Sequence, residues 1–220
     1  MGVGDTVKIG VLGTGEVGRA LAARLAGLGH VVTLGSRRAE DPELAAWAGQ
    51  ASVGYATFAD AARDAELVIN ATGGTVSLAA LTLAGAGNLS GKVLMDVSNP
   101  LEFSDGAPKL AIPAEGSVAE QLQHAFPGTR VVKTLQTMNN KVMVEPSRVP
   151  GPHNVFVCGD DPAAKAQVKE LLGEFGWSDE QILDLGGLSA ARQTEPLVML
   201  WVTLAGVLNT MDFNYAILHG

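Results

Sequence analysis

The residue types with the clearest chemical capacity stand where glycines interrupt an apolar run, at Gly13-Thr14-Gly15-Glu16-Val17-Gly18. Gly13 frees the chain to turn sharply, Gly15 removes the Cβ that would hold a pyrophosphate away, and Gly18 permits close packing of a helix on a sheet. The N–H groups of Glu16 and Val17 open that helix without intrahelical partners, so donors and helix dipole both favour a phosphate there. About twenty residues on, a binder of NAD carries Asp or Glu to accept from the ribose 2′-hydroxyl. This chain instead reads Gly35-Ser36-Arg37-Arg38. A hydroxyl and two guanidiniums can make charge-assisted contacts with a 2′-phosphate, which points to NADP(H).

The elements that must position these residues are legible around them. Val7 to Leu12 is an apolar, β-branched strand; apolar positions 17, 20, 21, 25 and 28 recur at helical spacing; Gly29 stops the helix; and His30 to Leu34 reads as the next strand. That context gives the glycine pattern weight in a chain of 220 residues with 27 glycines. Asp41-Pro42-Glu43 opens a helix to Gln50, and Thr57 and Asp60 open a short amphipathic segment through Ala65. Leu67 to Asn70 is a strand, Val76 to Leu83 a helix, Asn88 to Gly91 a turn, and Lys92 to Val97 a strand. Pro100 to Glu115, with Gly106, Pro108 and Pro113 inside it, reads as a long irregular loop bordering the site. Ser117 caps Val118 to Phe126, and Arg130 to Leu135 is the next strand.

The turn-rich Pro146 to Pro152 is the best internal boundary. It separates a dinucleotide-binding domain, residues 1–150, from a C-terminal part, residues 151–220, packed on it as one compact unit. That part holds strands at Asn154 to Cys158 and Gln181 to Leu185, a helix from Pro162 to Phe175, and a helical stretch from Ser189 to Asn209 that Pro196 kinks or begins. Alternating apolar strands and helices predict an α/β fold of Rossmann type, a doubly wound, mostly parallel sheet with a small C-terminal helical part.

Ligands of such sheets bind beyond the carboxyl ends of the strands. Besides Gly13 to Val17 and Ser36 to Arg38, those ends are Thr72-Gly73, Ser98-Asn99-Pro100 and Met138-Asn139, the last three lying toward the nicotinamide. No catalytic acid or base is assigned, because hydride transfer needs positioning and exclusion of water more than a protein proton donor. His30, His124, His153 and His219 lack metal-ligand spacing, and Cys158, the single cysteine, sits in an apolar strand, so no metal site is assigned. Glu102, Asp105 and Glu115 in the irregular loop read as surface carboxylates.

A formal net charge of −8 argues against nucleic acid and against an anionic membrane surface as partners. Leu197 to Leu208 is shorter than the roughly 20 residues of a membrane span, and no targeting segment precedes the first strand, so a cytoplasmic setting is expected. The same stretch is apolar almost all round, which predicts a buried helix and, in so small a C-terminal part, a homodimer to cover it.

Taken in order, Gly13 to Gly18, Gly35 to Arg38, Asp96-Val97-Ser98-Asn99-Pro100, Val131-Val132-Lys133-Thr134 and Val157-Cys158-Gly159-Asp160-Asp161 resemble the NADP oxidoreductases that depend on the deazaflavin coenzyme F420. The reductase domains of the STEAP metalloreductases are relatives. The resemblance spans almost the whole chain. It implies that Thr14 to Val17 hold the pyrophosphate, that Ser36 and Arg37 hold the 2′-phosphate, and that a small-molecule electron acceptor, the deazaflavin or a flavin, is the second substrate. Thr72-Gly73-Gly74 and Thr137-Met138-Asn139-Asn140 depart from the archaeal pattern, and the glycines imply a roomier, less aromatic acceptor site. A different acceptor is thereby left open, and the alternatives are a binding or sensing protein without turnover, which the lack of an assigned acid or base permits, and a reductase of another small acceptor.

Overall fold

The computed structural model describes residues 6–38, 40–104, 107–113 and 116–220. Lys8–Leu12 (β1) leads through the glycine turn into Glu16–Gly27 (α1) and then Val31–Ser36 (β2). Pro42–Gln50 (α2), Gly54–Thr57 (β3), Phe58–Asp64 (α3) and Leu67–Asn70 (β4) follow. Next come Gly74–Ala84 (α4), the single turn Ala86–Leu89 (α5), Val93–Asp96 (β5), and a hairpin of Leu101–Ser104 (β6) and Ala107–Leu110 (β7). Val118–Ala125 (α6), Arg130–Thr134 (β8), Asn140–Val144 (α7) and Val155–Cys158 (β9) continue the chain. It closes with Pro162–Phe175 (α8), Ile182–Asp184 (β10), Ala191–Thr194 (α9) and Leu197–Leu208 (α10).

One eight-stranded sheet in the order β10-β9-β8-β5-β4-β1-β2-β3 organises these elements. Every pairing in it is parallel except β8 with β9, so the sheet is mostly parallel and the fold is Rossmann-like, as the periodicities predict. Strand residues alternate between two covered faces, which is why the strands are apolar throughout. Ile9, Val11, Ile69 and Met95 pack with Leu21 and Leu25 of α1 and Phe175 of α8. Leu12, Val68 and Leu94 pack with Phe58 of α3, Leu81 of α4 and Leu122 of α6 on the other side. Helix starts are fixed locally: Asp41, Thr57, Ser117 and Asp161 each accept from a backbone N–H three residues on, satisfying a donor the helix cannot. From β1 the chain runs outward on one side to β3 and then returns to build the other side from β4. The crevice between the ends of β1 and β4 is therefore the topological switch point where ligands of such sheets bind.

Several elements differ from expectation. β2 runs two residues further, to Ser36, and Asn88 lies in the helical turn α5. The edge strand β3 has no apolar run to announce it, its pattern being one exposed and three half-buried residues. The loop predicted at Pro100 to Glu115 contains the β6-β7 hairpin, with Phe103 in register opposite Pro108. A two-stranded ribbon outside the main sheet tolerates a proline that a central strand would reject. Asp105 and Glu115 lie outside the described residues. Pro196 marks the start of α10 rather than a kink. Of α10 only Val198 is buried within the chain; Leu200 is 48% exposed, Val207 75% and Leu208 51%, so the helix expected to be buried is largely uncovered. Among the described residues no helix is long and apolar enough to cross a membrane.

Candidate functional site

The glycine turn joins β1 to α1, and its three glycines are needed for different reasons. Gly13 adopts φ +121°, and a Cβ there would lie 2.5 Å from the Ala71 carbonyl oxygen. A Cβ at Gly18 would lie 1.9 Å from the Gly13 carbonyl oxygen, so Gly18 closes α1 onto the turn itself rather than onto the sheet, as the sequence had suggested. Gly15 has no atom within 4 Å of where a Cβ would stand. It faces open space, the cradle a pyrophosphate needs. Gly15 is also the N-cap of α1 and supplies no side chain, which leaves the first-turn donors of Glu16 and Val17 to a ligand. Arg19 Nε donates to the Thr14 carbonyl at 2.9 Å and holds the turn in shape.

At the end of β2, Thr14, Ser36, Arg37 and Arg38 line a cavity of about 210 Å³ with Asp41 and Leu44. Asp41 is committed to capping α2, accepting from Leu44 N at 3.1 Å. Among the described residues neither Arg37 nor Arg38 has a side-chain partner, in a protein with net charge −8. Two unpaired guanidiniums beside a buried serine hydroxyl are a ready anion site. Gly13, Thr14, Gly15, Ser36 and Arg37 continue into a second cavity of about 410 Å³ whose far wall is Phe58, Val76, Ala79 and Leu83. That apolar slot between α3 and α4 was not anticipated, because alanines and a lone Phe58 give no local signal of a ring-sized gap. If these arginines hold a 2′-phosphate, Arg37→Ala should cost about 1.5–3 kcal/mol of NADPH affinity, roughly 10- to 100-fold, as for a charged hydrogen bond. Calorimetric titration with NADPH and NADH checks this, NADH affinity being expected to stay unchanged.

The third cavity, about 440 Å³, lies across the switch point. It gathers Gly15, Glu16, Val17, Thr72, Gly73, Ser98, Asn99, Met138 and Asn139, residues predicted from four separate strand ends. Pro100 does not line it. Pro100 is buried, and its nitrogen would lie 2.8 Å from a Cβ at Gly74. Gly74 likewise does not enlarge the cavity, because its missing Cβ points at the Asn99 carbonyl 2.6 Å away and lets the two backbones meet, Gly74 N donating to Asn99 O at 2.8 Å. Only Gly73 of the pair faces the ligand space. Sequence reasoning missed Gln136, Val198, Trp201 and Met211, which also line it. Among the described residues four buried polar atoms on lining residues have no partner: Ser98 Oγ, Asn99 Oδ1, Gln136 Oε1 and Trp201 Nε1. Orphaned buried groups cost stability unless water or a shifted neighbour meets them, and these four belong to residues that line the cavity.

A charged cluster lies directly beneath that wall. Lys133 Nζ, wholly buried on β8, donates to Asp96 Oδ2 at 2.8 Å and to the Ser98 carbonyl at 2.6 Å, and is 3.0 Å from Glu195 Oε1. Glu195 also accepts from the N–H groups of Val118 and Ala119 at the start of α6, at 2.9 and 3.1 Å. Asp96 Oδ1 accepts from Asn70 Nδ2 at 2.8 Å and from Ser98 N at 3.2 Å. Burial pushes the Lys133 pKa down, but the two carboxylates outweigh it and hold the ammonium above the usual lysine value. The cluster thus fixes the Ser98 turn at the end of β5 and Glu195, two residues before α10. Cys158 is no nucleophile, since burial pushes its thiol up to about 12. None of the four histidines lines these three cavities; His30 is bound to Glu174 and His153 to Pro146 O and Asn214.

Known proteins share this arrangement. Residues 8–100 match the family model described as NADP oxidoreductase, coenzyme F420-dependent. The F420-dependent NADP reductase of Methanothermobacter thermautotrophicus is 33% identical over 213 residues, covering 90% of this chain and 89% of that protein. The metalloreductase STEAP3 of Rattus norvegicus is 34% identical over 193 residues, covering 88% of this chain but 36% of its own length, so the chain spans about a third of that protein. A crystal structure from Arthrobacter sp. FB24, whose own description as an F420-dependent NADP reductase is provisional, superposes with a TM-score of 0.90 at 49% identity, over 97% of this chain and 100% of that one. The chain belongs to the coenzyme F420-dependent NADP oxidoreductase family and is an NADP-dependent oxidoreductase.

Proposed function

We propose that the chain passes hydride between NADP(H) and the deazaflavin coenzyme F420, with the acceptor seated at the Val198, Trp201 and Met211 end of the switch-point cavity. The observation that carries this reading is a single cavity whose wall runs from the glycine turn, at Gly15, Glu16 and Val17, to Val198, Trp201 and Met211. The nicotinamide supplies the hydride chemistry; the chain's own residues bind, orient and exclude water. On this reading the N–H groups of Glu16 and Val17, with Thr14 and Gly15, hold the pyrophosphate. Ser36, Arg37 and Arg38 hold the 2′-phosphate, and the Phe58 to Leu83 slot takes the adenine. Ser98, Asn99 and Gln136 offer hydrogen bonds suited to a carboxamide, with Thr72, Gly73, Met138 and Asn139 around the ring and Pro100 as backing. Val198, Met138 and Met211 add apolar surface, and Trp201 stacks on Phe213 with ring centres 5.5 Å apart, which keeps a rigid aromatic wall on the acceptor side. The names of the archaeal relatives favour the deazaflavin as acceptor. Under anaerobic conditions, NADPH with catalytic amounts of protein should bleach the visible absorbance of oxidised deazaflavin. Absorbance that persists while an added flavin is reduced instead would assign the site to flavin.

We also read the protein as a cytoplasmic homodimer. Besides Leu200, Val207 and Leu208 of α10, Met211, Ile217 and Leu218 after it are exposed by 58%, 52% and 81%, and a partner subunit would cover these large apolar side chains. Sedimentation velocity at micromolar concentration is expected to give a dimer; a monomer would overturn this part.

A further inference from the structure

We infer that Tyr55, on the edge strand β3, is a positioning residue for NADP(H) over NAD(H): it supplies the hydrogen bond that lets Ser36 turn its proton to the 2′-phosphate. The inference rests on the reading of Ser36, Arg37 and Arg38 as the 2′-phosphate site.

β3 pairs with β2 in the register Leu34 with Tyr55 and Ser36 with Thr57. Tyr55 therefore shares a sheet face with Leu34 and Ser36, one pleat from the serine. Its Oη stands 2.9 Å from Ser36 Oγ and donates to the Arg38 carbonyl at 2.6 Å. Ser36 Oγ donates to that same carbonyl and accepts from Arg38 N at 3.1 Å.

A serine hydroxyl has one proton. While that proton points at the Arg38 carbonyl, Ser36 offers the cavity only lone pairs, which repel a phosphate. To bind the anion the hydroxyl must rotate and release the carbonyl. Tyr55 keeps the carbonyl satisfied through that rotation, and Arg38 N continues to donate to Ser36 Oγ. The serine can then give its proton to the phosphate while the carbonyl keeps a hydrogen bond that is already in place. A phenylalanine at position 55 would keep the strand and its packing but not this exchange. Tyr55 touches no ligand in this scheme and acts wholly through Ser36.

The test is a double-mutant cycle read by calorimetry with NADPH, NADH and 2′,5′-ADP. Tyr55→Phe should weaken NADPH and 2′,5′-ADP by about 5- to 10-fold, the scale of one neutral hydrogen bond, and leave NADH unchanged. In a Ser36→Ala background the same substitution should add less than about twofold, because residues acting as one unit do not add. Equal weakening of NADPH and NADH would show a merely structural role and overturn the inference, as would an undiminished effect without Ser36. A wild type that prefers NADPH, with no change in Tyr55→Phe, overturns Tyr55 alone. A wild type that binds NADPH and NADH equally overturns the 2′-phosphate reading and the inference with it.

Discussion

Replacing Lys133 with methionine is expected to lower folding stability by about 3–5 kcal/mol, the usual cost of removing one partner from a buried ion pair. The long side chain would still fill its space, so the loss comes from charge. The cluster holds one ammonium against two carboxylates, and the variant leaves Asp96 and Glu195 buried with no cation. For a domain of this size the midpoint of thermal unfolding should fall by roughly 10 °C or more. Glu195→Gln should cost less, since it leaves Lys133 and Asp96 as a matched pair and loses mainly the strength of two α6 N–H contacts. The pH dependence has a definite sign. Because the folded pKa of Lys133 is raised, its stabilisation is fully present below the unfolded lysine value of about 10.4 and is lost as pH rises through the folded value. The gap between wild type and Lys133→Met should therefore stay level from neutral pH into mild alkali and close only above that. Thermal melts of the three proteins across that range decide it, and a Glu195→Gln loss as large as that of Lys133→Met would show that geometry, not charge, governs the cluster.

The half of the candidate site proposed to hold the phosphates was legible as a cavity lining because its determinants are local. Glycine spacing, a strand end and adjacent arginines are all contiguous in the chain, and β1, α1 and β2 carry them with little tertiary adjustment. The half proposed to hold the nicotinamide was legible only as strand ends. Val198, Trp201 and Met211 reach the cavity from the far end of the chain, and no periodicity says which part of α10 turns toward Thr72. Lys133 had a signal that was noted only as part of a motif. One charge inside Val131-Val132-Lys133-Thr134, on a strand apolar on both faces, must be paired, and Asp96 ends the neighbouring strand in register with it. Gly74 was misread because space in sequence terms is not space in the fold: the Cβ it lacks would enter Asn99, not the ligand. Tyr55 was missed with β3, an edge strand too short and polar to stand out.

The contrast between Gly15 and Gly18 is the sharpest expected effect on cofactor binding. Gly15→Ala meets no protein atom, since nothing lies within 4 Å of the new methyl, so thermal unfolding should be unchanged. On the proposed reading the methyl would stand where the pyrophosphate approaches, and NADPH affinity should fall at least 100-fold, the scale of losing two charge-assisted contacts at about 1.5–3 kcal/mol each. Gly18→Ala meets a different obstacle. Its methyl would stand 1.9 Å from the Gly13 carbonyl oxygen, a backbone atom fixed by the turn and by Arg19 on Thr14. Alanine's helical preference, worth about 0.5–1 kcal/mol over glycine, cannot offset that clash, for which about 1–3 kcal/mol of overpacking strain is the expected scale. Either α1 moves off the turn or the turn opens, and in both cases the donors of Glu16 and Val17 leave the cradle. Gly18→Ala should therefore lose stability and NADPH binding together, whereas Gly15→Ala loses binding alone. Melting curves with and without NADPH separate the two, because only a protein that binds the cofactor is raised by it. A Gly15→Ala protein that NADPH still stabilises as it does wild type would remove the pyrophosphate from this turn and, with it, the reading of every residue further along the crevice.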